Sequence, residues 1–189
     1  RDALLEIMQG LALTRNLHEI LSIVHRSVGK VIYAENFFVV FYHRESGLFE
    51  EVYSVDQYDP PAPPSRLEKS LTAYTFRSGQ PFIISDERFT ELREQGVVDL
   101  VGTNSASWLG APLNTPDGPI GVIAVQDYAV ADRYTENDMR FLAFISSQVA
   151  LAIERKRADE ALLTATDRLE LAQRSAGAGV WEWDLPANQ

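Results

Sequence analysis

The stretch Ser107–Asp127 constrains the fold of this chain more than any other part of the sequence. Two almost wholly apolar segments, Trp108–Leu113 and Ile120–Gln126, predict two strands that are covered on both faces, because a half-exposed strand alternates apolar and polar residues. Between them, Asn114–Gly118 contains the residue types of a tight turn. Small residues recur along this hairpin, so it indicates where the core lies and where a packed helix or a ligand would fit.

The remaining sequence predicts helices and strands in alternation. The periodicity predicts helices over residues 3–13, 17–30, 68–78, 86–95 and 135–172, and further strands over residues 36–43, 48–55 and 81–84. The proline-rich stretch Asp59–Pro64 blocks regular structure, and Val97–Ser105 is either a short helix or the wall of a pocket. This order predicts an α+β domain with an antiparallel sheet and helices on both sides of it.

Composition excludes several classes of function. The chain has 189 residues, a formal net charge of −10 and no cysteine. We therefore expect no nucleic-acid partner and no membrane contact, since both need clustered basic residues. The absence of cysteine excludes disulfides, thiolate metal sites and cysteine nucleophiles, and it fits a cytoplasmic protein. The apolar run Phe37–Tyr42 is far too short to span a bilayer.

The sequence contains no convincing catalytic or metal-binding constellation. His18 and His25 are seven residues apart on one helix, but no third ligand lies nearby, so we interpret both as solvated. No Cys–His or Ser–His pairing and no glycine-rich phosphate loop is evident, so we expect no enzyme in this chain.

The last predicted helix is longer than one domain needs. Its apolar residues Leu142, Ile145, Val149 and Ala152 step by three and four, the rhythm of a helix that packs against a partner helix. The rhythm is interrupted at residues 154–157 and resumes at Leu162. A homodimer through this helix and the N-terminal helix is the expectation, and a frayed end is the alternative.

Three stretches, Ser70–Asp86, Ser107–Asp127 and Arg133–Arg157, resemble the signature stretches of a GAF domain. The segment Arg168–Leu185 is similar to the first helix and first strand of a PAS domain. The resemblance implies four parts: an N-terminal helix over 1–14, a GAF domain over 15–157, a signalling coiled-coil helix over 158–174 and a truncated PAS start over 175–189.

For the fold, the resemblance implies a six-stranded antiparallel sheet. The first and last helices would pack on one face, and the middle helices and loops would roof a small-molecule pocket on the other. By analogy, eleven aliphatic, aromatic or weakly polar residues would line that pocket: Phe38, Val40, Tyr53, Leu71, Thr72, Thr75, Val97, Val98, Val101, Ser105 and Ala124.

The resemblance also indicates which ligands do not fit. Where GAF domains that bind cyclic nucleotides have Asn-Lys, this chain has Asp127-Tyr128, and of the later acidic pair only Asp138 is present, followed by Met139. A buried phosphate needs paired donors, so cyclic nucleotides are disfavoured. The lack of cysteine excludes attached bilins and methionine-sulfoxide reductase chemistry, and His43 is the sole candidate for a haem ligand. We therefore expect no cofactor.

These features together predict a sensory and regulatory module. A ligand in an apolar pocket would shift the first and last helices, and the dimeric helix would pass that shift to a PAS domain and an output domain. The output would be a histidine kinase or, alternatively, a diguanylate cyclase or phosphodiesterase. The alternative function is a dimerisation spacer that binds no ligand.

Overall fold

The structure of the chain is a computed structural model that describes residues 16–175. The helix predicted over residues 3–13 and the PAS-like segment beyond residue 175 lie outside the described residues. The chain divides after Ala152 into two compact units. The first contains all five strands of the described sheet, and the second contains the C-terminal part of the last helix.

Four helices and five strands make up the described residues. In chain order they are α1 (Leu17–Val28), β1 (Asn36–His43), β2 (Leu48–Val55), α2 (Leu71–Ser78), β3 (Phe82–Ser85), α3 (Asp86–Glu94), β4 (Ser107–Thr115), β5 (Gly118–Asp127) and α4 (Glu136–Ser175). Strands β1 and β2 have the predicted bounds, because continuous apolar runs between turn residues define them without tertiary information.

The strands form one antiparallel sheet in the order β2-β1-β5-β4-β3. The prediction of six strands is therefore wrong for the described residues, where the sheet has five. Next to the edge strand β2, Ser65 exchanges two backbone hydrogen bonds with Phe49, both 2.9 Å long, and pairing goes no further. The prolines that precede Ser65 have no backbone N–H to continue a ladder.

A β-bulge interrupts the pairing of β1 with β2. Val39 lies opposite Tyr53, but Val40 lies opposite Glu51, so Val52 is an extra residue on β2. A bulge of this kind changes which side chains share a face of the sheet. Glu51 and Ser54 consequently lie on the same face, and Tyr53 lies on the other.

One face of the sheet is covered by α1 and the first half of α4. The fully buried residues on this side are Leu21, Val24 and Val28 of α1, Leu142, Ile145 and Val149 of α4, and Phe37, Val39, Ile123 and Val125 of the sheet. The Ser146 hydroxyl fixes α4 to the sheet by donating to the Pro112 carbonyl at 2.5 Å. Leu142, Ile145 and Val149 therefore pack in the core of their own domain, which corrects the prediction that they contact a partner helix.

Local capping explains where the helices begin and end. Helix α2 begins three residues later than predicted, because the Ser70 hydroxyl accepts a hydrogen bond from the Ala73 N–H at 3.0 Å. It ends at Gly79, whose φ of 65° is in the left-handed region. Between residues 16 and 175, no helix is both long enough and apolar enough to cross a membrane.

Candidate functional site

A cavity of about 280 Å³ lies on the sheet face opposite α1 and α4. Its floor is formed by the five strands, and its other walls come from α2, α3, the β2–α2 loop (residues 56–70) and the α3–β4 loop (residues 95–106). Large apolar side chains line it, among them Phe38, Val40, Leu71, Phe89 and Trp108. The cavity is thus built from segments that are far apart in the sequence.

Six of the eleven residues predicted for the pocket line this cavity: Phe38, Val40, Leu71, Thr72, Val101 and Ser105. The stretch Val97–Ser105 contains neither helix nor strand, and Val101 to Ser105 form part of the wall. Of the two interpretations of that stretch, the pocket wall is therefore the one that the structure supports. That these residues bind a ligand stays a prediction.

Tyr53 does not line the cavity, because it lies opposite Val39, whose side chain is on the helix side of the sheet. The prediction for Tyr53 rested on the resemblance, and the register of β1 with β2 places its side chain on the other face. There its hydroxyl lies 3.1 Å from His25 Nδ1, and its ring meets the Phe37 ring edge-on at 5.8 Å.

The other four predicted residues support the cavity without lining it. Val98 and Ala124 are fully buried in a hydrophobic cluster with Trp108, and Val97 packs against that cluster. Thr75 is fully buried within α2. These residues hold the wall in place but do not face the enclosed space.

Four carboxylates also line the cavity: Glu51, Asp56, Asp59 and Asp99. No lysine, arginine or histidine is among the described residues that line it. The prediction of a purely aliphatic, aromatic and weakly polar pocket is therefore wrong. The cavity combines an apolar floor with a negatively charged rim.

Asp56 is the centre of a hydrogen-bond network at the rim. It accepts from the Tyr128 hydroxyl at 2.8 Å, from Gln126 Nε2 at 2.8 Å, and from the N–H groups of Tyr58 and Asp59 at 2.9 Å each. Burial alone would raise the pKa of Asp56, but these bonds outweigh it and lower the pKa below its usual value. Asp56 is thus a fixed negative charge whose oxygens are already occupied.

Asp59 connects the two loops that border the cavity. Its carboxylate accepts from the Thr103 N–H at 2.9 Å and from the Thr103 hydroxyl at 2.8 Å. Gly102 allows this close approach, because a Cβ there would overlap the Asp59 carboxylate and because its φ is 74°. The β2–α2 loop and the α3–β4 loop are therefore joined across the cavity.

Glu51 differs from the other carboxylates because one of its oxygens has no partner. Its Oε1 atom is buried, and no donor among the described residues reaches it with hydrogen-bond geometry. Burial raises the pKa of Glu51, although hydrogen bonds from Ser54 and the Ala62 backbone to the carboxylate lower it. Only the Oε1 atom, and not the whole carboxylate, is therefore without a donor among the described residues.

The histidines lie outside the cavity. His18 is exposed as predicted, but His25 is half-buried: its ring stacks on Phe37 at 4.6 Å and its Nε2 donates to the Ala34 carbonyl at 2.7 Å. Burial lowers the pKa of His25, which favours the neutral ring. His43 is exposed beside Glu50, with 2.6 Å between Nε2 and Oε2. Across residues 16–175, no three His, Cys, Asp or Glu side chains form a group that could hold a metal ion.

The residues at the positions of the cyclic-nucleotide motif have structural contacts. Asp127 is 2% exposed and binds Arg133 through Nε at 2.5 Å, on the helix side of the sheet. Tyr128 belongs to the Asp56 network. Asp138 caps α4 by accepting from the N–H and hydroxyl of Thr135, both at 2.8 Å.

Sequence reasoning missed the polar part of the cavity wall, including Glu51, Ser54 and Gln126. One signal was present: Glu51 lies in the middle of a strand, where a carboxylate needs a specific environment. The side of the sheet on which it lies depends on the bulge, which local sequence does not reveal.

Comparison with known proteins identifies the fold. A model of the GAF domain family matches residues 14–154. Among solved structures, the GAF domain of a phosphoenolpyruvate-protein phosphotransferase from Acinetobacter has a TM-score of 0.68 at 17% identity, covering 83% of this chain and 93% of that one. The corresponding domain from Coxiella burnetii has a TM-score of 0.70 at 14% identity, covering 85% and 95%.

Residues 122 to 287 of a methyl-accepting chemotaxis protein are also similar, with a TM-score of 0.63 at 16% identity over 84% of this chain and 99% of that one. A comparison with curated proteins finds no match. GAF domains are sensory and regulatory modules of signalling proteins and are in general not enzymes. The match over residues 14–154, with the antiparallel sheet and its two covered faces, shows that this chain belongs to the GAF domain family.

Proposed function

We propose that this chain is the ligand-sensing module of a larger signalling protein, and that the cavity beneath α2 binds the ligand. The observation that carries this proposal is the cavity itself, about 280 Å³ in volume and lined by both apolar and polar side chains. Small-molecule sites typically combine a mostly apolar concave surface with a few converging polar groups.

Strand β5 offers a route from the cavity to the helices. Gln126 lines the cavity, whereas the neighbouring Val125 is fully buried on the opposite face, where α1 and the first half of α4 pack. If a ligand binds more tightly when β5 is in one placement than in another, it shifts the strand toward that placement. Both faces of the strand then move together. The proposed signal is therefore a change in how α1 and α4 pack on the sheet.

We further propose that the second half of α4 pairs with its copy in a homodimer, together with the N-terminal helix. Its leucines support this, because Leu162, Leu163, Leu169 and Leu171 are between 59% and 69% exposed. The dimeric helix would continue into a PAS domain and a cytoplasmic output domain. That output is a histidine kinase in our proposal, with a diguanylate cyclase or phosphodiesterase as the alternative, and no cofactor is required.

Native mass spectrometry combined with a cavity-filling variant tests the ligand-binding proposal. Leu71→Trp would place an indole in the cavity, and Leu151→Trp is the matched control on the exposed surface of α4, outside the leucines proposed for the homodimer. We expect the wild type and the control to retain, or to bind from a metabolite library, a small molecule that Leu71→Trp does not bind. A wild-type protein that carries no ligand, and whose melting temperature no compound in the library raises, would contradict the proposal.

The second candidate function is a dimerisation spacer without a ligand, and the exposed leucines of α4 favour it. Sedimentation analysis of the same protein separates the two functions. A stable dimer that has no ligand and is unaffected by the Leu71→Trp substitution supports the spacer.

A further inference from the structure

The charges around the cavity point to the class of ligand, if the cavity is the ligand site as proposed above. Four carboxylates line it, and no basic side chain is among the described residues that do so. An anionic ligand such as a phosphate or a carboxylate would meet like charges without a compensating donor. A positively charged ligand would be attracted by the same groups.

Two of these carboxylates already accept hydrogen bonds from the protein, so they contribute negative charge but no unpaired oxygen. Asp56 accepts from the four donors described above, and Asp59 accepts from the N–H and hydroxyl of Thr103. Their contribution is a fixed negative potential at one end of the cavity. Neither needs a ligand to complete its hydrogen bonds.

Glu51 is different because its Oε1 atom is buried in the wall without a partner. Leaving a buried acceptor unpaired is destabilising, and a ligand with an N–H donor removes that penalty when it binds. Charge-assisted hydrogen bonds between an ammonium and a carboxylate are among the stronger ones in proteins. The orphaned oxygen thus matches a cationic donor in both charge and hydrogen bonding.

The apolar floor is also compatible with a cation. Phe38, Phe89 and Trp108 contribute aromatic rings to the cavity lining. Aromatic faces attract ammonium groups, tryptophan most strongly, and they also cover the hydrocarbon part of an organic ligand. The volume of about 280 Å³ suits a small organic molecule.

We propose that the cavity binds a small organic cation, an ammonium group on an apolar body, and that Glu51 is its counter-ion. The ammonium donates to Glu51 Oε1, and the apolar body lies on Phe38 and Trp108. Asp56 and Asp59 add to the negative potential without contacting the charged group directly. This class of ligand goes beyond the general sensory role, since it fixes the sign of charge that the module detects.

The test uses matched probes that differ only in their polar group. Purified chain is titrated by calorimetry with alkyl- and arylammonium compounds of about four to ten non-hydrogen atoms, with the alcohols of the same skeleton, and with the corresponding carboxylates. We expect at least one ammonium compound to bind tenfold or more tightly than its alcohol, and the carboxylates not to bind.

Two neighbouring substitutions locate the site of recognition. Glu51→Gln keeps the shape of the side chain and removes its charge, so we expect a loss of tenfold or more in ammonium affinity with unchanged alcohol affinity. Glu50→Gln is the control, because Glu50 lies beside His43 away from the cavity. Thermal unfolding confirms that both variants are folded.

Each result has a defined meaning. If alcohols or carboxylates bind as tightly as ammonium compounds, the ligand is not a cation, although the cavity stays a ligand site. An ammonium affinity that Glu51→Gln leaves unchanged overturns the assignment in the same way. If no ammonium compound binds but native mass spectrometry shows a retained neutral or anionic ligand, the cation fails and the proposed function stands. If nothing binds at all, both fail.

Discussion

Replacing Asp127 by alanine is expected to destabilise the domain by about 3–4 kcal/mol. Asp127 is 2% exposed and closes the loop after β5. Its carboxylate accepts from the Ala129 N–H at 2.8 Å, from the Val130 N–H at 3.1 Å and from Arg133 Nε at 2.5 Å. The substitution removes all three acceptor contacts at once.

The magnitude follows from these contacts and from the exposure of the donors. A hydrogen bond to a charged group contributes roughly 1.5–3 kcal/mol, so three independent bonds would amount to about 4.5–9 kcal/mol. Ala129 and Val130 are exposed, however, and the Arg133 side chain is 36% exposed, so water replaces part of what is lost. The net cost is therefore expected to be about 3–4 kcal/mol, below the sum for three independent bonds.

Urea unfolding of three variants separates the contributions. Asp127→Asn keeps an acceptor for the two backbone N–H groups but loses the charge facing Arg133, so we expect about half the cost of Asp127→Ala. Arg133→Met leaves the carboxylate with its backbone donors, so we expect it to cost clearly less than Asp127→Ala. Asp117→Asn, in the exposed turn of the hairpin, is the control and should change stability by less than about 0.5 kcal/mol.

The pH dependence gives an independent check. Burial would raise the pKa of Asp127, but the N–H donors and Arg133 outweigh it and hold the pKa below its usual value. The stabilisation is thus fully present above the unfolded carboxyl pKa of about 3.9 and is lost as the pH falls through the folded value. The difference between wild type and Asp127→Ala should therefore shrink below about pH 4. A cost below about 1 kcal/mol at pH 7, or an asparagine variant as unstable as the alanine variant, would refute this reasoning.

Two further substitutions test the packing of the hairpin. Gly121→Ala should cost about 3 kcal/mol in urea unfolding, because the new Cβ would overlap a backbone carbonyl of β1. Gly29→Ala is the control: its Cβ would meet only ordinary contacts at 3.4 Å and beyond, so it should not destabilise the domain. Ser146→Ala should cost about 1–3 kcal/mol, because the buried Pro112 carbonyl loses its donor, whereas the exposed neighbour Ser147 should tolerate alanine within about 0.5 kcal/mol. Equal stability of either variant and its control would contradict the packing described for the hairpin.

Local patterns predicted the elements of this domain well, because each element is defined by its own residues. The bounds of β1 and β2 follow from apolar runs between turns, and Ser85 and Gly79 mark helix ends through their own caps. The cavity is different, because its wall depends on contacts between distant segments. The bond from the Tyr128 hydroxyl to Asp56 joins residues 72 positions apart, and no local pattern encodes it.

The same distinction explains the errors in side-chain placement. His25 was interpreted as solvated because no third metal ligand lies near it in the sequence, yet the end of β2 brings Tyr53 against it. The sixth strand is missing from the described sheet for a reason that the sequence does contain. The prolines before Ser65 have no backbone N–H, so they cannot continue the pairing with β2.

The extra residue Val52 has a consequence for how such domains diversify. Glu51 and Ser54 both face the cavity because the bulge lies between them. Deleting that one residue would restore strict alternation with Glu51 still opposite Val40 and Ser54 still opposite Phe38, so both would keep their face of the sheet. The bulge therefore lets this edge strand gain or lose one residue without changing which side chains line the cavity. Relatives whose β2 strands differ in length by one residue are expected to keep the same cavity wall.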